Sequence, residues 1–511
     1  MSPRPRTSVD ADLDLLRVIE ALEAIVDDPG LSASLSREDH IRLMTAAGRL
    51  SRPSKIERLK VSRKIRKVRH RRVLEADRAA VEGTGIREAR KAEVFAAPVP
   101  LLPAPESPAE EIRRPRICYV CKEPYTKLHH FYDGLCPVCA DVNYAKRFQT
   151  ATMPGRTALV TGARVKIGYQ AALKLLRAGA RVLVSSRFPH DAARRYAAEP
   201  DFGDWRARLR IHGLDLRHSP SVEIFARYLN QGETRLDALI SNACQTVRRP
   251  AGFFQHLLDR ETLAWKDLPA GERAILESHY ECRGLLDRST ADEAASPKGL
   301  ALLDTGSMGV GIRDSAALSQ IRMTYDDRTC GRETFPEGKL DADLQQVDLR
   351  TQNSWRMTLA EVPTPELLEV LLINAVAPFV LAARLKPLML RAGTREVHIV
   401  NVSAMEGIFS RGTKTDKHPH TNMAKAALNM MTRTSAADYA RDGIHMNAVD
   451  TGWVTDEDPV EHATRKKSEG FEPPLDIVDG AARILDPLFA GLNTGVHASG
   501  QFFKDYQPSS W

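Results

Sequence analysis

Four cysteines fall in two Cys-x2-Cys pairs, Cys118 with Cys121 and Cys136 with Cys139, separated by fourteen residues. Each pair can offer two thiolates to one tetrahedral ion, so the spacing points to zinc. A unit of about thirty residues has too small a core to fold unaided, and a metal would supply that folding energy. Four filled positions leave none for substrate, so the expected zinc is structural and not catalytic. His129 and His130 lie between the pairs and could replace one ligand. Such units serve protein contacts, nucleic-acid contacts or scaffolding, and the spacing does not choose among them. The other cysteines, Cys244, Cys282 and Cys330, bring the total to seven, an odd number that argues against a disulfide framework.

A second constellation is the turn Thr161-Gly162-Ala163-Arg164-Val165-Lys166-Ile167-Gly168, which follows the apolar run TALV and precedes the helix-like YQAALKLLRAGA. A glycine-rich turn between strand and helix can lay a pyrophosphate on the helix N-terminus. The next apolar run ends in Ser185-Ser186-Arg187 and not in an acidic residue. A carboxylate there would accept from a free ribose 2'-hydroxyl, whereas a guanidinium pairs with a 2'-phosphate. NADP(H) is therefore expected over NAD(H).

The elements that must position these groups are short apolar strands, TALVTGA, ARVLVSSR, LDALISNA and REVHIVNVSA, separated by helical stretches. That alternation predicts an α/β fold, a doubly wound, Rossmann-like parallel sheet covered on both faces. With 511 residues, 43% hydrophobic and 27% charged, the chain is too long for one ordinary domain and reads as soluble and globular. The expected order is a helical region at 1–95, a proline-rich linker at 96–116, the zinc unit at 117–150, and the sheet domain at 155–511 with an insertion at about 245–350. The net charge of +7 is concentrated: residues 52–72 hold eleven Lys/Arg against one Glu, and the rest of the chain sums to −3. This predicts a long basic helix that could meet nucleic acid or an acidic protein, with little aromatic content for base stacking. The start lacks an apolar core of signal type, and Leu367 to Leu385 is broken by Glu369, Asn374, Pro378 and Arg384. A cytoplasmic protein without membrane spans is expected.

Residues 155–244 and 351–505 resemble the short-chain dehydrogenase/reductase family. The landmarks stand in the family's order: TGARVKIG, Asp215-Leu216 after the third strand, SNA at the next strand end, Asn374 in the long helix, HIVNVSAMEG, Lys425-Ala-Ala-Leu, and Gly452. The resemblance implies NAD(P) binding with Asp215 near adenine and Asn242 in the cofactor wall, hydride exchange with a carbonyl or alcohol substrate, and often a homodimer. Lys166 stands where most members have glycine, as in the pteridine-reductase branch, and supports NADP(H). By the same resemblance Lys425 would orient the ribose and Asn374 would hold a relay water.

Two family positions are lost. The tyrosine four residues before the lysine is Thr421, a far weaker acid, and the catalytic serine is Ala404. Ser403 is adjacent but on an extended strand faces the other way unless the strand has turned. Three readings follow: an oxidoreductase with a rearranged acid, in which His418, His420 or Thr421 acts with Lys425 and water and Ser403 or Thr421 hydrogen-bonds the reacting oxygen; a cofactor-binding sensor without hydride chemistry; or a nucleic-acid-associated scaffold. The insertion is either a lid, with RRPAGFFQHLL over the cleft, or a partner surface or flexible excursion, with TGSMGVG favouring mobility in part of it. Cys244 reads as a small buried side chain.

Overall fold

Aliphatic and β-branched runs form strands where helices can cover both of their faces. In the computed structural model, which describes residues 8–95, 97, 110–289, 314–324, 327 and 331–511, these runs build one eight-stranded sheet. Its order is β5 (Leu209–Gly213), β4 (Arg181–Ser186), β3 (Thr157–Thr161), β6 (Ala238–Ser241), β7 (Val397–Ser403), β8 (Ile444–Asp450), β9 (Phe502–Lys504) and β10 (Gln507–Ser509). All neighbours are parallel except the terminal pair β9–β10. Every residue of β3, β6 and β7 is buried. Alternation along β3 shows why: Ala158 and Val160 pack with helices Lys166–Arg177 and Ile477–Thr494, while Leu159 packs with Ser219–Gly232, Ala377–Leu390 and Pro419–Arg441.

The helical stretch Thr364–Leu390 is long and apolar enough to cross a membrane by length and composition, yet half of it is buried inside the protein. Leu381, Leu385 and Leu388 belong to the sheet core, which accounts for its apolar content.

The described chain divides into two compact units, Met1–Arg78 and Ala79–Trp511. The first holds helices Ser8–Asp27 and Arg37–Ser51 and most of Lys55–Glu82, the basic helix, and neither of the last two buries a residue. The division falls at Arg78 and not in the proline tract expected at 96–116, of which 96 and 98–109 lie outside the described residues.

The cysteine unit expected as a body of its own at 117–150 is instead part of the sheet unit. Its hairpin, β1 (Glu111–Ile117) and β2 (Pro124–Lys127), and its helix Pro137–Arg147 share a core with Ile86, Leu475 and Ile477. Of the insertion, 290–313, 325–326 and 328–330 are outside the described residues, including TGSMGVG and Cys330. Its described helices include Ala270–Ser289, which contributes Ile275 and Leu276 to one core face and Cys282 to the other, whereas 331–350 run as turns with one isolated bridge, Leu340 to Gln346.

Candidate cofactor cleft, catalytic end and metal centre

At the carboxyl ends of the parallel strands, where the order reverses between β3 and β6, lies a cleft of about 930 Å³. Its floor is the turn after β3. Gly162 has φ +65, and a Cβ there would lie 2.8 Å from Ala243 Cα. A Cβ on Gly168 would lie 2.3 Å from Asn242 Nδ2, so both positions require glycine. Asn242 Nδ2 donates to the carbonyls of Thr161 (3.0 Å) and Gly162 (3.2 Å), pinning the turn to the end of β6. Thr161 does not line the cleft: its Oγ1 accepts from Ala243 N at 3.0 Å and ties β3 to β6, so its role is positional.

Gly162, Arg164, Lys166, Ile167, Gly168, Arg187, Asp215 and Asn242 all line the cleft. Their charges are not equally available. Arg164 is committed to Asp191 at 2.7 Å, which makes it a wall and not an anion ligand. Asp215 is paired with Arg217 at 2.6 Å, and Arg217 with Glu369 at 2.9 Å. Glu369 in turn holds Arg248 at 2.9 Å, and Arg248 holds Asp327 at 2.7 Å, so this buried chain of charges fastens the insertion to the cleft. Arg187 has no ion-pair partner among the described residues. Its guanidinium lies 4.5 Å from the Phe254 ring centroid, and burial pulls its pKa down to about 10. Lys166 sits at φ +56, a left-handed conformation that costs energy for any residue with a Cβ.

The other end of the cleft is lined by Ser403, Ala404, Thr421, Lys425, Asp450, Gly452, Trp453 and Tyr119. Lys425 Nζ donates to Val402 O at 2.8 Å. The Thr421 hydroxyl is buried and has no hydrogen-bond partner among the described residues. Ser403 Oγ donates to Asn429 Oδ1 at 2.5 Å, so its hydroxyl is already engaged although the residue lines the cleft. Asn374, expected to hold a water, does not line the cleft. Its Oδ1 accepts from Gln245 N (2.8 Å) and its Nδ2 donates to Gln245 O (3.2 Å), which clamps the chain leaving β6. Neither histidine reaches the cleft: His418 stacks on Trp355 with centroids 3.9 Å apart, and His420 Nε2 lies 3.5 Å from Glu366.

Sequence reasoning missed Asp450 and Tyr119. Asp450 ends β8 opposite Ser403, and its Oδ1 accepts from Met405 N at 3.3 Å. Burial pushes its carboxyl up to about 6, Arg483 opposing and Glu406 and Asp505 adding to the rise. A lone acid ending the buried strand IHMNAVD was the available signal. A carboxyl raised in the folded state contributes stability that is fully present below its free value of about 3.9 and lost as pH rises through about 6. Asp450→Asn is therefore expected to be more stable than the parent at pH 8 by roughly 2–3 kcal/mol. Urea unfolding at pH 4 and pH 8 measures this, and an equal difference at both pH values would place the effect elsewhere.

The four thiols Cys118, Cys121, Cys136 and Cys139 converge, with every Sγ within 4.8 Å of the others. Cys121 and Cys136 Sγ are 3.8 Å apart, and four sulfurs tetrahedral at about 2.3 Å from one zinc would be about 3.8 Å apart. The donor set thus fits zinc. His129 is not among the converging ligands: its Nδ1 accepts from Phe131 N (3.0 Å) and Tyr132 N (3.3 Å), and the His129 and His130 rings pack on Tyr144. Arg147, ending the unit's helix, bonds Asp476 (2.7 and 2.9 Å) and Asp479 (2.8 Å), and Tyr132 also reaches Asp479 at 2.5 Å.

Comparison with known proteins agrees with this geometry. A family model described as short chain dehydrogenase matches residues 156–264, and one described as enoyl-(acyl carrier protein) reductase matches 338–469. An uncharacterized protein of Acanthamoeba polyphaga mimivirus is 29% identical over 390 residues, 73% of this chain and 71% of that one. Retinol dehydrogenase 13 of Mus musculus is 39% identical over 95 residues, 18% of this chain and 28% of that protein. Among solved structures, the carbonyl reductase Sniffer of D. melanogaster matches with a TM-score of 0.41 and 15% identity, covering 70% of this chain and 100% of that one. The matched segments carry the glycine turn, the strand-order reversal beside it and Lys425 on either side of the insertion. Over residues 156–264 and 338–469 the chain is thus similar to the short-chain dehydrogenase/reductase family.

Proposed function

We propose that the protein is an NADP(H)-dependent oxidoreductase acting on a carbonyl or alcohol substrate, with a zinc ion held by the four cysteines as a structural element. The observation that carries this reading is Arg187, a cation without a counter-ion among the described residues, at one end of a cleft whose other end holds Lys425. The glycine cradle fits a pyrophosphate, because both glycines stand where a Cβ has no room and the helix Lys166–Arg177 starts at the turn. The bound nicotinamide would supply or accept the hydride. Lys425, held by the Val402 carbonyl, keeps an ammonium at the reacting end. The unspent Thr421 hydroxyl can donate to a substrate oxygen there but is too weak an acid to give up its proton unaided. Asp450 lines the same end, with a carboxyl shifted toward neutrality. The likeness to retinol dehydrogenases makes all-trans-retinal a first substrate to test, beside aromatic aldehydes and ketones.

A second reading, cofactor binding without turnover, is favoured by one observation: Ala404 brings no hydroxyl and Ser403 spends its own on Asn429. Titration with NADPH and NADH, followed by substrate addition and absorbance at 340 nm, separates the two. Arg187→Ala is expected to weaken NADPH about 10- to 100-fold, the worth of one charge-assisted phosphate contact, and to leave NADH within about twofold. Equal affinity of the parent for both nucleotides would remove Arg187 from the cofactor site.

A further inference from the structure

The cysteine unit reaches into the cleft. Tyr119 lies between Cys118 and Cys121 and lines the cleft wall, where its hydroxyl accepts a hydrogen bond from Trp453 N at 2.9 Å. Trp453 follows Gly452, at φ +74, where a Cβ would lie 2.1 Å from Arg483 Nη1, so this loop after β8 is tightly fitted. The unit holds the loop a second time through Arg483, which donates to Thr451 O (3.3 Å) and to Asn143 Oδ1 (3.1 Å) on the helix that starts beyond Cys136. Tyr119 is itself fixed by its neighbours: its N donates to Gly134 O (2.9 Å), and Cys118 N donates to Glu123 O (2.9 Å). Having accepted from Trp453, the phenol keeps its own proton, and no acceptor for it stands among the described residues.

We infer that Tyr119 is a positioning residue for the nicotinamide end of the cleft, and that metal held by the flanking cysteines is what keeps it there. This rests on the NADP(H) reading above. The loop at 451–453 lies at the end of β8, whereas Arg187 follows β4, four strand spacings or about 19 Å away. Loss of the metal or of the phenol hydroxyl should therefore loosen one end of the cofactor site and spare the other.

The test uses the full chain with zinc bound and two probes: NADPH, which spans the cleft, and adenosine 2',5'-bisphosphate, which lacks nicotinamide. Tyr119→Phe is expected to weaken NADPH about tenfold and to reduce the blue shift of bound NADPH emission, with adenosine 2',5'-bisphosphate changed less than twofold. Cys121→Ser, or the parent stripped by chelator, should show the same split, and Tyr119→Phe answers alone if these do not fold. Unchanged NADPH affinity in Tyr119→Phe overturns the inference, as does an equal loss of both probes, which would signal general loosening. A parent that binds neither probe overturns the NADP(H) reading itself and this inference with it.

Discussion

Arg147→Ala is expected to destabilise the sheet unit by about 3–5 kcal/mol, the usual consequence of leaving a buried charge without its partner. The Arg147 side chain is 1% exposed, and it is shared between Asp476 and Asp479, which are 6% and 0% exposed. Its guanidinium also lies 4.4 Å from the Phe131 ring centroid. Asp476 has a second duty, because it caps helix Ile477–Thr494 by accepting from Val478 N and Asp479 N. Alanine would leave two carboxylates in an apolar seam between the cysteine unit and the sheet. Urea unfolding measures the cost, and a change under about 1 kcal/mol would mean that the carboxylates do not depend on this guanidinium.

Lys425→Met should lower kcat by about 10²–10⁴, the span of a proton-transfer or charge-stabilising group, while NADPH still binds. Methionine keeps an unbranched stem in a site where the lysine is 4% exposed, so the core around Ala424 and Leu428 need not repack. What disappears is the ammonium and its bond to Val402 O. Turnover within tenfold of the parent would take Lys425 out of the chemistry and leave Thr421 and Asp450 as the groups to vary.

The parts of the site that sequence reasoning located are those whose partners are near in the chain or dictated by the backbone. Gly162 and Gly168 are needed because their own turn folds back on Ala243 and Asn242, and a strand-turn-helix pattern announces such a turn. The cysteine pairs carry their own spacing. The contacts that sequence reasoning did not supply depend on where a distant segment lies. That the Ser403 hydroxyl is engaged depends on Asn429, in the helix after an unusually long connection, and the Asn374 amide is engaged by Gln245, at the start of the insertion. Tyr119 meets Trp453 across 334 positions, and no periodicity in either segment reports that contact. Arg164 and Arg187 read alike as cations beside a nucleotide turn, and only the tertiary arrangement shows that Asp191 takes the first and leaves the second.

The long interruption of the sheet has a consequence in polymer terms. β6 ends at Ser241, and its parallel neighbour β7 begins only at Val397. The entropy of closing such a connection grows with the logarithm of its length, so each doubling adds only about 0.6 kcal/mol. A single intramolecular hydrogen bond returns about 1 kcal/mol, and of the two Arg248 ion pairs one closes the inserted segment on its own Asp327 and the other fastens it to Glu369. Chain statistics therefore place almost no ceiling on the size of the insertion, and its length is free to follow the shape of whatever it covers.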